Sequence, residues 1–163
     1  MAVFSLRRVQ NIPGDFSKVW SFFVDPGNLP LITPPYMQFR VLSSGNSPTH
    51  SDLQIYPGQL IEYRLRPLPG FRVYWMTEIT HVREGLYFVD EQRRGPYSLW
   101  HHQHHFRPIP GGVEMTDIVH YEVPFGIIGR WANALFVGRQ LEGIFRYRFE
   151  VVEKMFGAYI PET

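Results

Sequence analysis

Four of the seven histidines lie within five residues, at His101, His102, His104 and His105. Imidazoles this close together can bind a metal ion, transfer protons or orient a polar ligand. If the segment is a β-strand, successive side chains point to opposite faces of the sheet. The alternation therefore predicts two pairs of imidazoles, one on each face, rather than a single cluster of four.

Large aromatic side chains flank only one of the two pairs. Trp100 and Phe106 fall on the same strand face as His102 and His104. A polar pair between two bulky aromatic residues indicates that this face points into an enclosed, mainly apolar space. We expect the other two histidines to point outward or towards a partner.

The following strand and the C-terminal helix supply further polar side chains for the same interior. A short turn separates residues 99–107 from residues 113–123, so the two segments are expected to be antiparallel neighbours. Asp117 and Tyr121 share a face of the second segment, and Arg148 lies beside the apolar face of the helix. Burying such groups is unfavourable unless they bond to one another.

These side chains admit four roles. They can form a structural hydrogen-bond network, orient a ligand in an apolar pocket, or transfer protons, with His102, His104 and Asp117 as the catalytic candidates. In the fourth role, the two histidines bind a metal ion with Asp117 as a third ligand. The usual full set of metal ligands is not evident, so the prediction includes neither a metal nor a cofactor.

Length and composition favour a single domain, residues 1–163, with its own core. Aromatic residues make up 16% of the chain, which favours an aromatic-walled cavity, although an aromatic-rich core gives the same composition. The net charge is +1 without a basic face, so no nucleic-acid partner is expected.

The chain contains no cysteine, which excludes disulfides and thiolate chemistry and fits a reducing cytoplasm. The first residues lack the order of a signal peptide, and no apolar run approaches the roughly 20 residues of a membrane span. We therefore expect a cytoplasmic protein, as a monomer or a homodimer.

Hydrophobic periodicity and turn residues predict the order of the elements. A strand at residues 2–10 precedes a short helix at 16–23 capped by Asp15, a further turn at 29–32 and an exposed loop at 43–52. Six strands are predicted in the middle of the chain, at residues 37–42, 59–66, 71–82, 87–94, 99–107 and 113–123. One amphipathic helix is predicted over residues 130–156, with Leu141 and Phe145 on its apolar face.

This order of elements, with several local strings, resembles the SRPBCC superfamily, also called START-like or Bet v 1-like, and within it a bacterial ligand-binding or cell-division-inhibitor-like branch. The strings that carry the resemblance are LPLITPP at 29–35, FVDEQRRGP at 88–96, the alternating residues of 100–106, Asp117 with Tyr121, and Phe145 with Tyr147 and Arg148. They occur in the expected order along nearly the whole chain.

The resemblance implies an α+β helix-grip fold, in which a curved antiparallel sheet of about seven strands wraps around a long C-terminal helix. It also implies a cavity between helix and sheet that binds a small apolar molecule such as a lipid, a polyketide or an aromatic compound. The residues expected to line it are Trp100, His102, His104, Phe106, Asp117, Tyr121, Leu141, Phe145 and Arg148. A polyketide cyclase-like or dehydratase-like enzyme, and a non-catalytic interaction domain with a filled cavity, are the alternatives.

Overall fold

The computed structural model describes residues 2–44 and 54–161. Within these residues, seven strands form one antiparallel sheet in the spatial order β1-β7-β6-β5-β4-β3-β2. The strands are β1 (Phe4–Pro13), β2 (Arg40–Ser43), β3 (Leu60–Leu68), β4 (Phe71–Arg83), β5 (Tyr87–Arg94), β6 (Leu99–Ile109) and β7 (Gly112–Glu122). Short turns connect the successive strands from β3 through β7 as antiparallel hairpins. The last of them, β7, also pairs with the first strand, β1.

Short helices connect β1 to β2, and a long helical region follows β7. Helix α1 spans Phe16–Phe23, and the Asp15 side chain accepts a hydrogen bond from the Lys18 amide at its start. Two 3₁₀ helices follow, at Pro26–Ile32 and Pro35–Met37. After the sheet come α2 (Gly126–Ala132), a π-helical segment (Asn133–Val137) and α3 (Gly138–Phe156). Most of the predicted 43–52 loop lies outside the described residues.

The predicted fold class is confirmed: a seven-stranded antiparallel sheet is combined with a long C-terminal helix. The predicted start of that helix at residue 130 was wrong, because the helical region begins at Gly126 and includes a π-helical segment. The sequence favoured a break because Gly129 follows Pro124 closely. In the structure Gly129 is helical, and a Cβ there would lie 2.1 Å from the Pro124 carbonyl oxygen, so glycine permits this close turn.

The core lies between α3 and the concave face of the sheet, in two clusters. In the larger one, the Trp20 ring meets Phe106 edge to face with 5.1 Å between centroids, and Val152 of α3 is fully buried beside it. The smaller cluster joins Leu141 and Phe145 of α3 to strands β1 and β7. Helix α3 thus packs against the sheet through residues near both of its ends.

Candidate functional site

Strand register brings two carboxylates against the inward pair of histidines. Asp90 of β5 lies directly opposite His102 of β6, and Asp117 of β7 lies directly opposite His104. Side chains directly opposite in an antiparallel pair are close enough to interact. Strand β6 therefore presents its two imidazoles between a carboxylate of β5 and a carboxylate of β7.

Each imidazole contacts both carboxylates. His102 Nε2 lies 3.0 Å and His104 Nδ1 2.9 Å from Asp117 Oδ1. On the other side, His104 Nε2 lies 2.9 Å and His102 Nδ1 3.4 Å from Asp90 Oδ2. An ionised carboxylate only accepts hydrogen bonds, so His102 Nε2–H donates to Asp117 and His104 Nε2–H donates to Asp90. The second nitrogen of His104 has no hydrogen-bond partner, despite its short distance from Asp117.

Burial and mutual contact shift the pKa values of these groups in different directions. Burial acts to lower the pKa of His104, but its close contacts with the carboxylates of Asp117 and Asp90 outweigh burial, and the pKa is raised. Burial and the neighbouring His104 lower the pKa of His102. Burial would raise the pKa of Asp117, but the Arg148 charge and the histidine hydrogen bonds hold it well below its usual range. With both carboxylates ionised, Arg148 charged and one imidazole protonated, the group carries no net charge, and the opposite pKa shifts favour His104 over His102 as the protonated residue.

Arg148 approaches this group from α3. Its guanidinium lies 3.6 Å from Asp117 Oδ1, and its side chain is only 11% exposed. It also lies over the rings of Phe23 and Phe145, at 5.2 Å and 5.9 Å from their centroids. Within the described residues no hydrogen bond from the guanidinium is found, so a nearly buried group with five N–H donors has unused donor capacity.

A cavity of about 220 Å³ lies between α3, α1 and the sheet, and this polar group forms part of its wall. Six of the nine residues expected at a ligand site line it: Trp100, His102, His104, Leu141, Phe145 and Arg148. Most other lining residues are apolar or aromatic and come from α1, the first 3₁₀ helix and strands β3 and β4, among them Phe23, Leu29, Leu65, Trp75 and Ile79.

The other three predicted residues lie elsewhere. Phe106 is buried in the larger core cluster, and Tyr121 packs in the smaller one against Phe4 and Trp100. Asp117 lies behind the histidines, where it lines a groove between β1 and α3. Strand alternation gave the correct face for all three but not their depth along the sheet.

Asp90 is the site residue that the sequence left undecided. Either Asp90 and Gln92 or Glu91 and Arg93 had to face inward, and nothing in the string distinguishes the pairs. In the structure Asp90 faces the cavity, and Gln92 exchanges two hydrogen bonds with the backbone of Tyr97, a residue of the cavity rim. Glu91 and Arg93 point to the outer face of the sheet, where Arg93 forms ion pairs with Glu91 and with Glu78 of β4.

No family model and no curated protein matches this sequence. Solved structures do match it in fold. A START superfamily protein from Mycobacterium smegmatis superposes with a TM-score of 0.64 at 15% identity, covering 93% of this chain and 98% of its own. The ginseng major latex-like protein 151 from Panax ginseng gives 0.63 at 14%, with 94% and 97% coverage. Ara h 8.0201 gives 0.61 at 16%, with 94% and 99% coverage.

These likenesses show that the chain has the same helix-grip fold as these proteins. At such identities the similarity shows the fold alone, because proteins of one fold carry out many different functions.

Proposed function

We propose that this protein binds a small, mainly apolar molecule in the cavity between α3 and the sheet, with the polar end of that molecule at Arg148. The cavity has the composition of a small-molecule site, with a mainly apolar wall and a few converging polar groups. Its volume lies just below the roughly 300–1,000 Å³ of most ligand pockets, which favours a compact polyketide, aromatic or single-chain ligand.

The observation that carries this proposal is the unused donor capacity of Arg148 in an apolar wall. The Arg148 side chain is only 11% exposed and makes no hydrogen bond within the described residues, so its guanidinium has N–H donors available for a ligand oxygen. The histidines are less available, because each already donates a hydrogen bond to a carboxylate through its Nε2. This favours ligand binding over a cyclase-like reaction that needs a free imidazole nitrogen.

Binding of 1-anilinonaphthalene-8-sulfonate, an apolar fluorophore with an acidic group, tests the proposal. We expect saturable binding that Ile144→Trp abolishes by filling the cavity and that Arg148→Met weakens about tenfold or more, the equivalent of one charged hydrogen bond. Glu153→Trp, on the exposed side of the same helix, should leave binding unchanged. Equal binding by all four proteins would contradict the proposal.

One further feature favours a second function, contact with a lipid surface. Large apolar side chains are exposed along α2 and the π-helical segment, namely Phe125, Ile127, Ile128, Trp131, Leu135 and Phe136, with exposures of 44–81%. Patches of this kind mark interaction sites. Gln140 donates a hydrogen bond to the Pro67 carbonyl oxygen, which places the β3–β4 turn, with exposed Phe71, beside the start of α3.

The charges near this patch favour contact with an anionic bilayer surface. Residues 123–141 and 63–77 contain five arginines and no acidic residue. Anionic headgroups would pair with such arginines, and the apolar part of a bilayer surface would cover the exposed side chains of the patch. No helix in the described part of the chain is long and apolar enough to cross a membrane.

Co-sedimentation with vesicles tests this second function. The protein should bind vesicles of phosphatidylcholine with phosphatidylglycerol more strongly than phosphatidylcholine alone, and Ile128→Ser with Trp131→Ser should abolish binding. Leu31→Ser, a change at an exposed leucine of the first 3₁₀ helix, is the control. A dimer in light scattering that the double variant dissociates, without vesicle binding, would instead show self-association.

A further inference from the structure

We infer that Asp90, His102 and His104 form a binding site for one divalent transition-metal ion in the wall of the cavity. These three residues are the one group of potential ligands in residues 2–44 and 54–161 whose donor atoms converge closely enough to hold an ion. Two imidazoles and one carboxylate suit zinc, iron or cobalt better than magnesium or calcium, which prefer oxygen ligands.

The distances between the donor atoms fit such an ion. Two ligands about 2.1 Å from a metal lie about 3.0 Å apart at a right angle and about 3.4 Å apart at a tetrahedral angle. Asp90 Oδ2 lies 2.9 Å from His104 Nε2 and 3.4 Å from His102 Nδ1. The alternate spacing on β6 and the opposite position of Asp90 on β5 therefore bring Asp90 to separations from both histidines that metal ligands show, and all three donor atoms lie within 4.8 Å of one another.

Asp117 occupies the position of an outer carboxylate that orients both metal-binding histidines. Metal-bound histidines usually donate their second ring N–H to such a group. His102 Nε2 already donates to Asp117 Oδ1 at 3.0 Å. His104 Nδ1, the buried atom without a hydrogen-bond partner, lies 2.9 Å from the same oxygen. If a metal displaces the proton on His104 Nε2, the imidazole keeps its hydrogen on Nδ1, beside Asp117.

Exposure agrees with this arrangement, and the two carboxylates can compensate the charge of a divalent ion. Asp90 and Asp117 contribute two negative charges and Arg148 one positive charge, so a divalent ion replaces the imidazole proton and leaves one net positive charge. Asp90 and both histidines line the cavity, whereas Asp117 lies behind them. With three protein ligands, the remaining coordination positions face the cavity, where they can accept water or an oxygen of an apolar ligand.

The first test is titration of the chelator-treated, tag-free protein with Co²⁺, followed by visible absorption. We expect one Co²⁺ per chain, with ligand-field bands of a site of low coordination number, and displacement by Zn²⁺. His104→Gln and Asp90→Asn should abolish stoichiometric binding, and Asp117→Asn should weaken it about 10–100-fold. The matched outer-face variants His105→Gln and Glu91→Gln should bind Co²⁺ like the unmodified chain.

A measurement on the unmodified chain keeps the test independent of variant folding. In two-dimensional ¹H–¹⁵N spectra of the imidazoles, Zn²⁺ should change the ring nitrogen shifts of His102 and His104 and leave those of His101 and His105 unchanged. Absence of stoichiometric binding, or shifts confined to the outer pair, would overturn the inference. No apolar ligand is used, so a negative result leaves the proposed cavity function standing.

Discussion

The two pairs of histidines on β6 have the same side chains and almost the same sequence positions, but they differ in surroundings. His102 and His104 are 6% and 5% exposed and lie between two carboxylates. On the other face, His105 contacts Gln103 and the ring of Tyr87, and His101 lies near His120. Strand alternation alone separates a buried, charge-coupled pair from a partly exposed one, so clustering in the sequence is a poor guide to a shared site.

The largest expected difference between the two faces of the sheet concerns Asp117, the carboxylate that contacts His102, His104 and Arg148 on the inner face. Asp117→Asn should lower the free energy of unfolding by about 3–5 kcal/mol, because it removes the buried charge that pairs with Arg148 and accepts a hydrogen bond from His102. Glu114→Gln, on the same strand but paired with the exposed Arg107, should cost at most about 1 kcal/mol. Urea unfolding of the metal-free proteins measures both free energies of unfolding. Equal losses in the two variants would show that Asp117 contributes no more to stability than an exposed ion pair does.

Truncation of one histidine from each pair gives the next largest difference. His104→Ala should cost about 1–3 kcal/mol, because the Asp90 carboxylate, only 15% exposed, loses a hydrogen-bond donor. His105→Ala should change stability by no more than about 0.5 kcal/mol. Chemical denaturation of metal-free protein is again the measurement. A costly outer substitution would mean that the outer face is covered in solution.

Aromatic neighbours on β5 give a smaller but well-matched comparison. The Phe88 ring stacks on His104 with 4.1 Å between centroids, whereas Tyr87 contacts His105 at 5.6 Å on the other face. Phe88→Leu should lower stability by about 1 kcal/mol through the lost stacking, and Tyr87→Leu by less than about 0.5 kcal/mol. Thermal unfolding of the two variants, side by side, tests the order. A larger loss of stability in Tyr87→Leu than in Phe88→Leu would contradict the stacking of Phe88 on His104.

The smallest expected effects are pH dependences of opposite sign in the metal-free protein. The pKa of His104 is raised, whereas burial and the charge of His104 lower the pKa of His105. The stabilisation from His104 is therefore complete below about pH 6.5 and is lost as pH rises through its folded pKa. Protonation of His105 instead destabilises the fold. NMR titration of the ring protons checks both directions, and identical midpoints for the two residues would contradict them.

Much of the fold could be predicted from the sequence, because its signals are local. Turn residues such as Gly85 and Gly111 separate the hairpin strands, and both adopt positive φ, of 69° each, which glycine tolerates well. The spacing of Leu141 and Phe145 gave the buried face of α3. The start of the helical region was missed because Pro124, Gly126 and Gly129 usually interrupt helices, and only close packing at Gly129 shows otherwise.

The candidate site depends on information of a different kind. The sequence alone determined that His102 and His104 share a face, because the period of a strand is two whatever lies beside it. Only the tertiary structure decided that Asp90 faces inward, that Asp117 lies behind the histidines and that Arg148 approaches from α3. These facts depend on strand register and helix docking, which are set by the packing of the whole core rather than by any segment of the chain.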